Sequence, residues 1–201
     1  MQDNGIELYR RFLNGDERGL EELIALYQHG LLRFIYGYVQ DVALAEDIFT
    51  DVFLALYYKR SFKETDGATL KTYLYKIARN KALNAIKKRK RQREVSLDAL
   101  MELGAENPAK EGTPSLFYRV DHSPQNALEE SERTKRVHEA MSQLKPDQRE
   151  VLGLRFLEDM SPETIAKVTK RTKKQVYNLI ARGKLALKEK LLEGGGTYED
   201  L

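Results

Sequence analysis

From Leu20 to Tyr38 the apolar residues recur three and four positions apart: Leu20, Leu23, Ile24, Tyr27, Leu31, Phe34, Ile35 and Tyr38. That spacing puts them on one stripe of an α-helix and leaves a polar face opposite. The same period runs through most of the 201-residue chain, and no stretch alternates convincingly with the two-residue period of a half-buried strand. The fold class is therefore all-α. Helices are predicted over about 4–13, 17–40, 42–59 and 68–91, with the break at KETDG, residues 63–67. Asn14-Gly15-Asp16 ends the first helix, and Asp16 is placed to cap the second.

The composition then changes. Residues 94–132 hold nine acids against two bases, Lys110 and Arg119, and NPAKEGTP has the make-up of a linker. Two apolar islands, LDALMEL and LFYRV, interrupt it, so partial order is compatible with it. Ser123-Pro124 reads as an N-cap followed by proline at the first helical position. A helix to about Leu144 follows, then three more, opened by Pro146, by Ser161-Pro162 and by Thr172. Gln175, three residues after Thr172, completes a capping box. The expected organisation is a helical domain over 1–93, an acidic linker over 94–122, a second helical domain over 123–193 and a tail over 194–201.

The last two helices flank the turn Thr169-Lys170-Arg171. A helix-turn-helix lays its second helix in the major groove. Here that helix would bury Val176 and Ile180. Lys173, Lys174, Gln175, Tyr177, Asn178, Ala181 and Arg182 would lie at or near its outer face, with Arg171 just before it. Gln and Asn pair with adenine edges, and Lys or Arg bond guanine or phosphate. Thr164 to Lys188 carries eight bases and no acid, a field that attracts phosphate whatever the sequence. The alternative is a solvated basic hairpin. Lys170 occupies the turn position where glycine is common, because the backbone there goes left-handed.

Two helices of the first domain differ in electrostatic character. The helix over 42–59 places Asp41, Glu46, Asp47 and Asp51 near its start, with Asp47, Thr50, Asp51 and Leu54 near one face. Acids there also complement the helix dipole, which is the structural alternative to a docking face. The stretch from Gly67 to Arg93 carries ten bases and no acid, with Tyr73 and Tyr75 interleaved. Cations among aromatic rings suit single-stranded nucleic acid, whose bases stack while its phosphates are held. Tyrosines packed in the core are the alternative, as is a basic run that simply ends a helix.

Three stretches together resemble one family. LAEDIFTDVFLALY (44–57), TLKTYLYKIARNKALNAIKKRKR (69–91) and LKPDQREVLGLRFLEDMSPETIAKVTKRTKKQVYNLIARGKLAL (144–187) stand in the order and spacing of a bacterial sigma factor of the extracytoplasmic-function type. The resemblance covers most of 5–91 and 124–191. It implies that the chain binds core RNA polymerase, at the clamp of the largest subunit and the flap of the second-largest, and directs initiation at particular promoters. It implies polymerase contacts at Asp47, Thr50, Asp51 and Leu54. The −10 DNA would be held by Lys63, Tyr73, Tyr75, Lys76, Arg79, Asn80 and Lys87, and the −35 element read by Arg171, Lys173, Lys174, Gln175, Tyr177, Asn178, Ala181 and Arg182. Promoter DNA, duplex and single-stranded, and an anti-sigma factor are the other implied partners. Free in the cell, the two domains would fold on each other or on that inhibitor. The family usually has Gln, Trp, Asp and Gly where Thr50, Tyr73, Asn84 and Lys170 stand.

A stand-alone helix-turn-helix regulator, acting as a dimer on paired half-sites, is the competing reading. An enzyme is disfavoured: His29, His122 and His138 are scattered, and there is no HExxH, phosphate-cradling glycine loop or triad spacing. The chain has no cysteine, so disulfides and thiolate metal sites are excluded. No cofactor is expected. MQDNGIELYRRF has no apolar signal core, and no stretch approaches the roughly 18 apolar residues of a membrane span, so a cytoplasmic protein without membrane insertion is expected.

Overall fold

The computed structural model describes residues 4–59, 62, 69–102 and 132–193. These residues form α1 (Gly5–Leu13), α2 (Glu17–Val39), α3 (Val42–Lys59), α4 (Leu70–Glu102), α5 (Glu132–Ser142), α6 (Pro146–Leu152), α7 (Pro162–Thr169) and α8 (Lys173–Glu193). Among the described residues there is no strand, as the periodicity requires. Lys63, the acidic segment beyond Glu102, the Ser123-Pro124 cap and the tail lie outside them.

The first three helices keep their predicted limits within a residue. Asp16 accepts a hydrogen bond from the Arg18 amide as the N-cap of α2. Asp41 does the same for α3 through the Leu44 amide. The stripe on α2 is the centre of the core: Leu23, Leu31 and Ile35 are fully buried against Val52 of α3 and Leu74, Ala78 and Ala82 of α4. Each buried leucine or isoleucine contributes about 1.5–3 kcal/mol of transfer free energy. Tyr9 and Phe12 of α1 close one end, and α1 can lie so close to α2 only because residue 19 is glycine. A Cβ there would stand 2.6 Å from the Leu8 carbonyl oxygen.

α4 differs from expectation. It continues to Glu102, eleven residues past the predicted end at 91. LDALMEL is made of strong helix formers, and no glycine or proline interrupts the chain until Gly104.

In the carboxy-terminal half, Met141, Leu144 and Leu152 form a small core with Val137, Ala186 and Leu187. Gly183 lets α8 approach α6, since a Cβ there would sit 3.0 Å from Leu152. α6 does not continue as the uniform helix expected. From Gly153 to Leu157 it widens into a π-helical turn, closed by Glu158 N–H to the Gly153 carbonyl. The extra residue leaves Phe156 exposed and carries Glu158 towards the amino-terminal helices. Ser161 caps α7 through the Thr164 amide, with Pro162 opening that helix, as its sequence implies.

The two halves pack on each other. Val151, Leu154, Ile165, Val168 and Val176 belong to the same buried cluster as the core of α1–α4. The seam runs between α4 and α7 and between α2 and α6.

Candidate nucleic-acid interface

The turn between α7 and α8 has the geometry its sequence calls for. Lys170 sits at φ 56°, ψ 39°, the left-handed region, where a side chain costs about 1–2 kcal/mol. The Thr172 amide donates to Gln175 Oε1 at 2.8 Å, and the Gln175 amide donates to Thr172 Oγ1 at 3.2 Å, closing the capping box. Val176 is fully buried beneath. Lys173, Lys174, Gln175, Tyr177, Asn178, Ala181 and Arg182 are all exposed on α8. They form one outer face of a capped helix, with two hydrogen-bonding amides among cations. The cap holds Gln175 Oε1 and leaves its NH2 as the remaining hydrogen-bonding group of that side chain.

Arg171 is placed differently. Its guanidinium is largely covered and binds Glu150 and Asp147, each at 2.6 Å. It braces the turn against α6 in this arrangement, and its contact to DNA is not free.

On α3, Asp47, Thr50, Asp51 and Leu54 are all exposed. They lie beside Tyr57 and Tyr58, so the face is acidic at one end and apolar at the other. Asp51 also receives Lys81 of α4 at 2.8 Å, which ties the acidic face to the basic helix. Asp41 is hydrogen-bonded by the Leu44 amide and by Arg89, and these hold its carboxyl below the ordinary value.

The α4 residues divide into two groups. Lys76 and Lys87 are exposed, and Asn80 is half-buried. Tyr73 is half-buried with its ring 5.3 Å from Phe62, so it is packed but not enclosed. Tyr75, expected on the DNA-facing side, is fully buried. In this arrangement it is a core residue, with its ring 5.0 Å from Phe34. Its hydroxyl lies beside the Glu158 carboxylate without a hydrogen bond of normal geometry. Burial, and then the charge of Glu158, hold its pKa well above the ordinary value.

Arg79 is also at the seam. Its Nε donates to Glu150 at 2.6 Å, and the Tyr38 hydroxyl donates to the same carboxylate. Burial, reinforced by the Glu150 charge, pushes the Tyr38 pKa far up. Burial, the largest single influence, lowers the pKa values of Arg79 and Arg171, but their hydrogen bonds to Glu150 together with its charge outweigh it and raise both. One carboxylate thus gathers Tyr38 and Arg79 from one half and Arg171 from the other. A second carboxylate, Glu158, binds Arg33 at 3.2 Å and Lys71 at 3.3 Å. Lys71 also donates to the Glu158 carbonyl at 2.8 Å. A cavity of about 360 Å³ opens along this seam, with Arg33, Arg79, Glu150 and Glu158 in its wall.

Arg33, Tyr38, Glu150 and Glu158 escaped sequence reasoning. The available signal was Arg33, a cation within the apolar run of α2; nothing local marks its partner 125 residues away.

Comparison with known proteins settles the family. Residues 23–92 match the model of sigma-70 region 2, and residues 134–187 match that of sigma-70 region 4. The chain belongs to the sigma-70 family, in its extracytoplasmic-function group. It is 31% identical to the RNA polymerase sigma-H factor of Pseudomonas aeruginosa over 94% of this chain and 95% of that one. It is 23% identical to the ECF RNA polymerase sigma factor SigM of Bacillus subtilis over 84% of this chain and 93% of that one. In fold it resembles the sigma factor RpoE solved with the anti-sigma factor NepR from Bartonella quintana, with a TM-score of 0.60 and 23% identity. That match covers 86% of this chain and 96% of the other. It also resembles CnrH solved with the cytosolic domain of CnrY, with a TM-score of 0.60 and 19% identity, over 96% of this chain and 99% of the other. A sigma factor directs promoter-specific transcription initiation, and the stand-alone regulator reading gives way to that role. Among the described residues no helix is long and apolar enough to cross a membrane.

Proposed function

We propose that this sigma factor divides its work among three faces. The exposed face of α3, with Asp47, Thr50, Asp51 and Leu54, docks on the clamp of core RNA polymerase, while region 4 meets the flap. The outer face of α8 reads the −35 element in the duplex. The accessible face of α4, with exposed Lys76 and Lys87 and half-buried Asn80, holds the −10 strand once it melts, and Tyr73 supports that surface. Lys63, which lies outside the described residues, belongs to the same set. Arg79 and Tyr75 reach the strand only after the seam parts. The chain performs no covalent chemistry: it supplies binding free energy, part of which offsets the few kcal/mol needed to extrude a base. It works in the cytoplasm, where polymerase and promoter DNA are found, and an anti-sigma factor of the kind bound to its structural relatives is its expected inhibitor.

The observation that carries the reading is the outer face of α8. Seven residues able to meet bases or phosphates are exposed together on a helix whose start is fixed by a capping box. Run-off transcription with purified core polymerase on a library of genomic promoters tests it. Promoter-selective transcripts are expected, and a folded protein that yields none with any promoter would overturn the proposal.

A further inference from the structure

The seam joins two groups that have opposite needs. Arg33, Lys71 and Arg79 are cations of region 2, on or beside the helix proposed to hold the melted strand. Their partners Glu150 and Glu158 are both in region 4. The two carboxylates are not equivalent. Glu150 keeps Arg171 of its own region as a partner, so it stays neutralised if the halves separate. Among the described residues Glu158 pairs only with region 2 cations, Arg33 and Lys71, and its side chain is nine-tenths covered.

The seat for Glu158 is shaped to receive it. Position 30 on α2 is glycine, and a Cβ there would stand 2.8 and 2.9 Å from the two Glu158 carboxylate oxygens and 2.5 Å from the Tyr75 hydroxyl. The π-helical turn delivers the side chain to that seat. The reader face of α8 remains exposed in the same arrangement.

We propose that Glu158 is an intramolecular latch: by occupying Arg33 and Lys71 it holds region 4 on region 2 and keeps Arg79 and Tyr75 from the strand, while leaving the −35 reader open. This rests on the proposed roles of α4 and α8. A carboxylate and a phosphate compete for the same guanidinium and ammonium donors. Arg33 and Glu158 line the cavity at the seam, so a competing anion can approach that pair from the cavity. Engagement of the strand therefore has to displace region 4 from region 2, and the free protein reads duplex before it holds single strand.

The chain has no cysteine, so Glu21→Cys on α2 and Glu189→Cys on α8 give two exposed sites for a fluorescent donor–acceptor pair. Glu158→Gln is expected to lower energy transfer between them without loss of helical circular dichroism. It is expected to tighten binding to a mixed-sequence single-stranded oligonucleotide by about tenfold, the effect of freeing a competent state populated about one part in ten. Unchanged transfer in Glu158→Gln would refute the latch, and lower transfer with unchanged single-strand affinity would refute its inhibitory role. Failure of the wild-type chain to bind polymerase would bear on the functional reading and leave the transfer result standing.

Discussion

Arg79 of α4 donates its Nε–H to Glu150 of α6 at 2.6 Å, with both side chains nearly covered. The pair spans the two regions, yet Glu150 also holds the recognition turn through Arg171. Removing one member of a buried pair leaves the other uncompensated and costs about 3–5 kcal/mol, whereas removing all members together costs far less. Glu150→Ala is therefore expected to destabilise the protein by about 3 kcal/mol in urea denaturation. Adding Arg171→Ala and Arg79→Ala should recover much of that loss. If the three effects simply add, the residues are not coupled through Glu150.

Lys170 holds a left-handed backbone at φ 56°. Glycine takes that conformation without a Cβ penalty but loses more entropy on folding. The two terms partly cancel, so Lys170→Gly should stabilise the protein by up to about 1 kcal/mol. Lys170→Val should destabilise it, because a β-branched residue fits this region worst. The denaturation midpoints of the two variants should lie on opposite sides of wild type.

The polymerase-facing surface of α3 can be tested away from the seam. Asp47 is exposed, and Asp47→Arg should weaken association with core polymerase by tenfold or more, about 1.4 kcal/mol. Duplex DNA binding by the free protein should not fall. Asp51 is a less selective choice, because it also holds Lys81. Co-sedimentation with polymerase, set against a duplex-binding assay, separates the outcomes.

Asp41 gives a pH dependence of definite sign. Its carboxyl is held below the ordinary value of 3.8 by the Leu44 amide first and then by Arg89. A depressed folded-state pKa adds stability that is complete above the unfolded value and is lost as the pH falls through the folded one. The advantage of wild type over Asp41→Asn should thus be constant near neutrality and shrink below about pH 3.8. Thermal denaturation of both proteins over that range measures it.

Local signals in the chain were enough for α1 to α3, the Asp16 and Ser161 caps, the capping box and the left-handed Lys170. Each depends on residues within four positions of one another. The same is true of the exposed faces of α3 and α8, since periodicity separates inside from outside. Periodicity does not say what lies against the inside face. Tyr75 is one position from the Leu70–Leu74–Ala78 stripe, and whether it meets DNA or protein depends on Glu158, 83 positions later. Arg171 counts as one base in a basic run until Glu150, 21 residues earlier, is seen to claim it. The π-helical turn is invisible for a related reason: VLGLRFL keeps the apolar spacing of an ordinary helix, and nothing local in it marks the wider turn.

Because region 2 and region 4 belong to one polypeptide, the contact at Glu158 is formed at a fixed local concentration, on the order of millimolar for linked modules. Diluting the protein cannot open it, and making more of it cannot close it further. The balance between shut and open then depends on competitors alone, whether salt, nucleic acid or polymerase, so that each molecule responds to its surroundings and not to the abundance of its own kind.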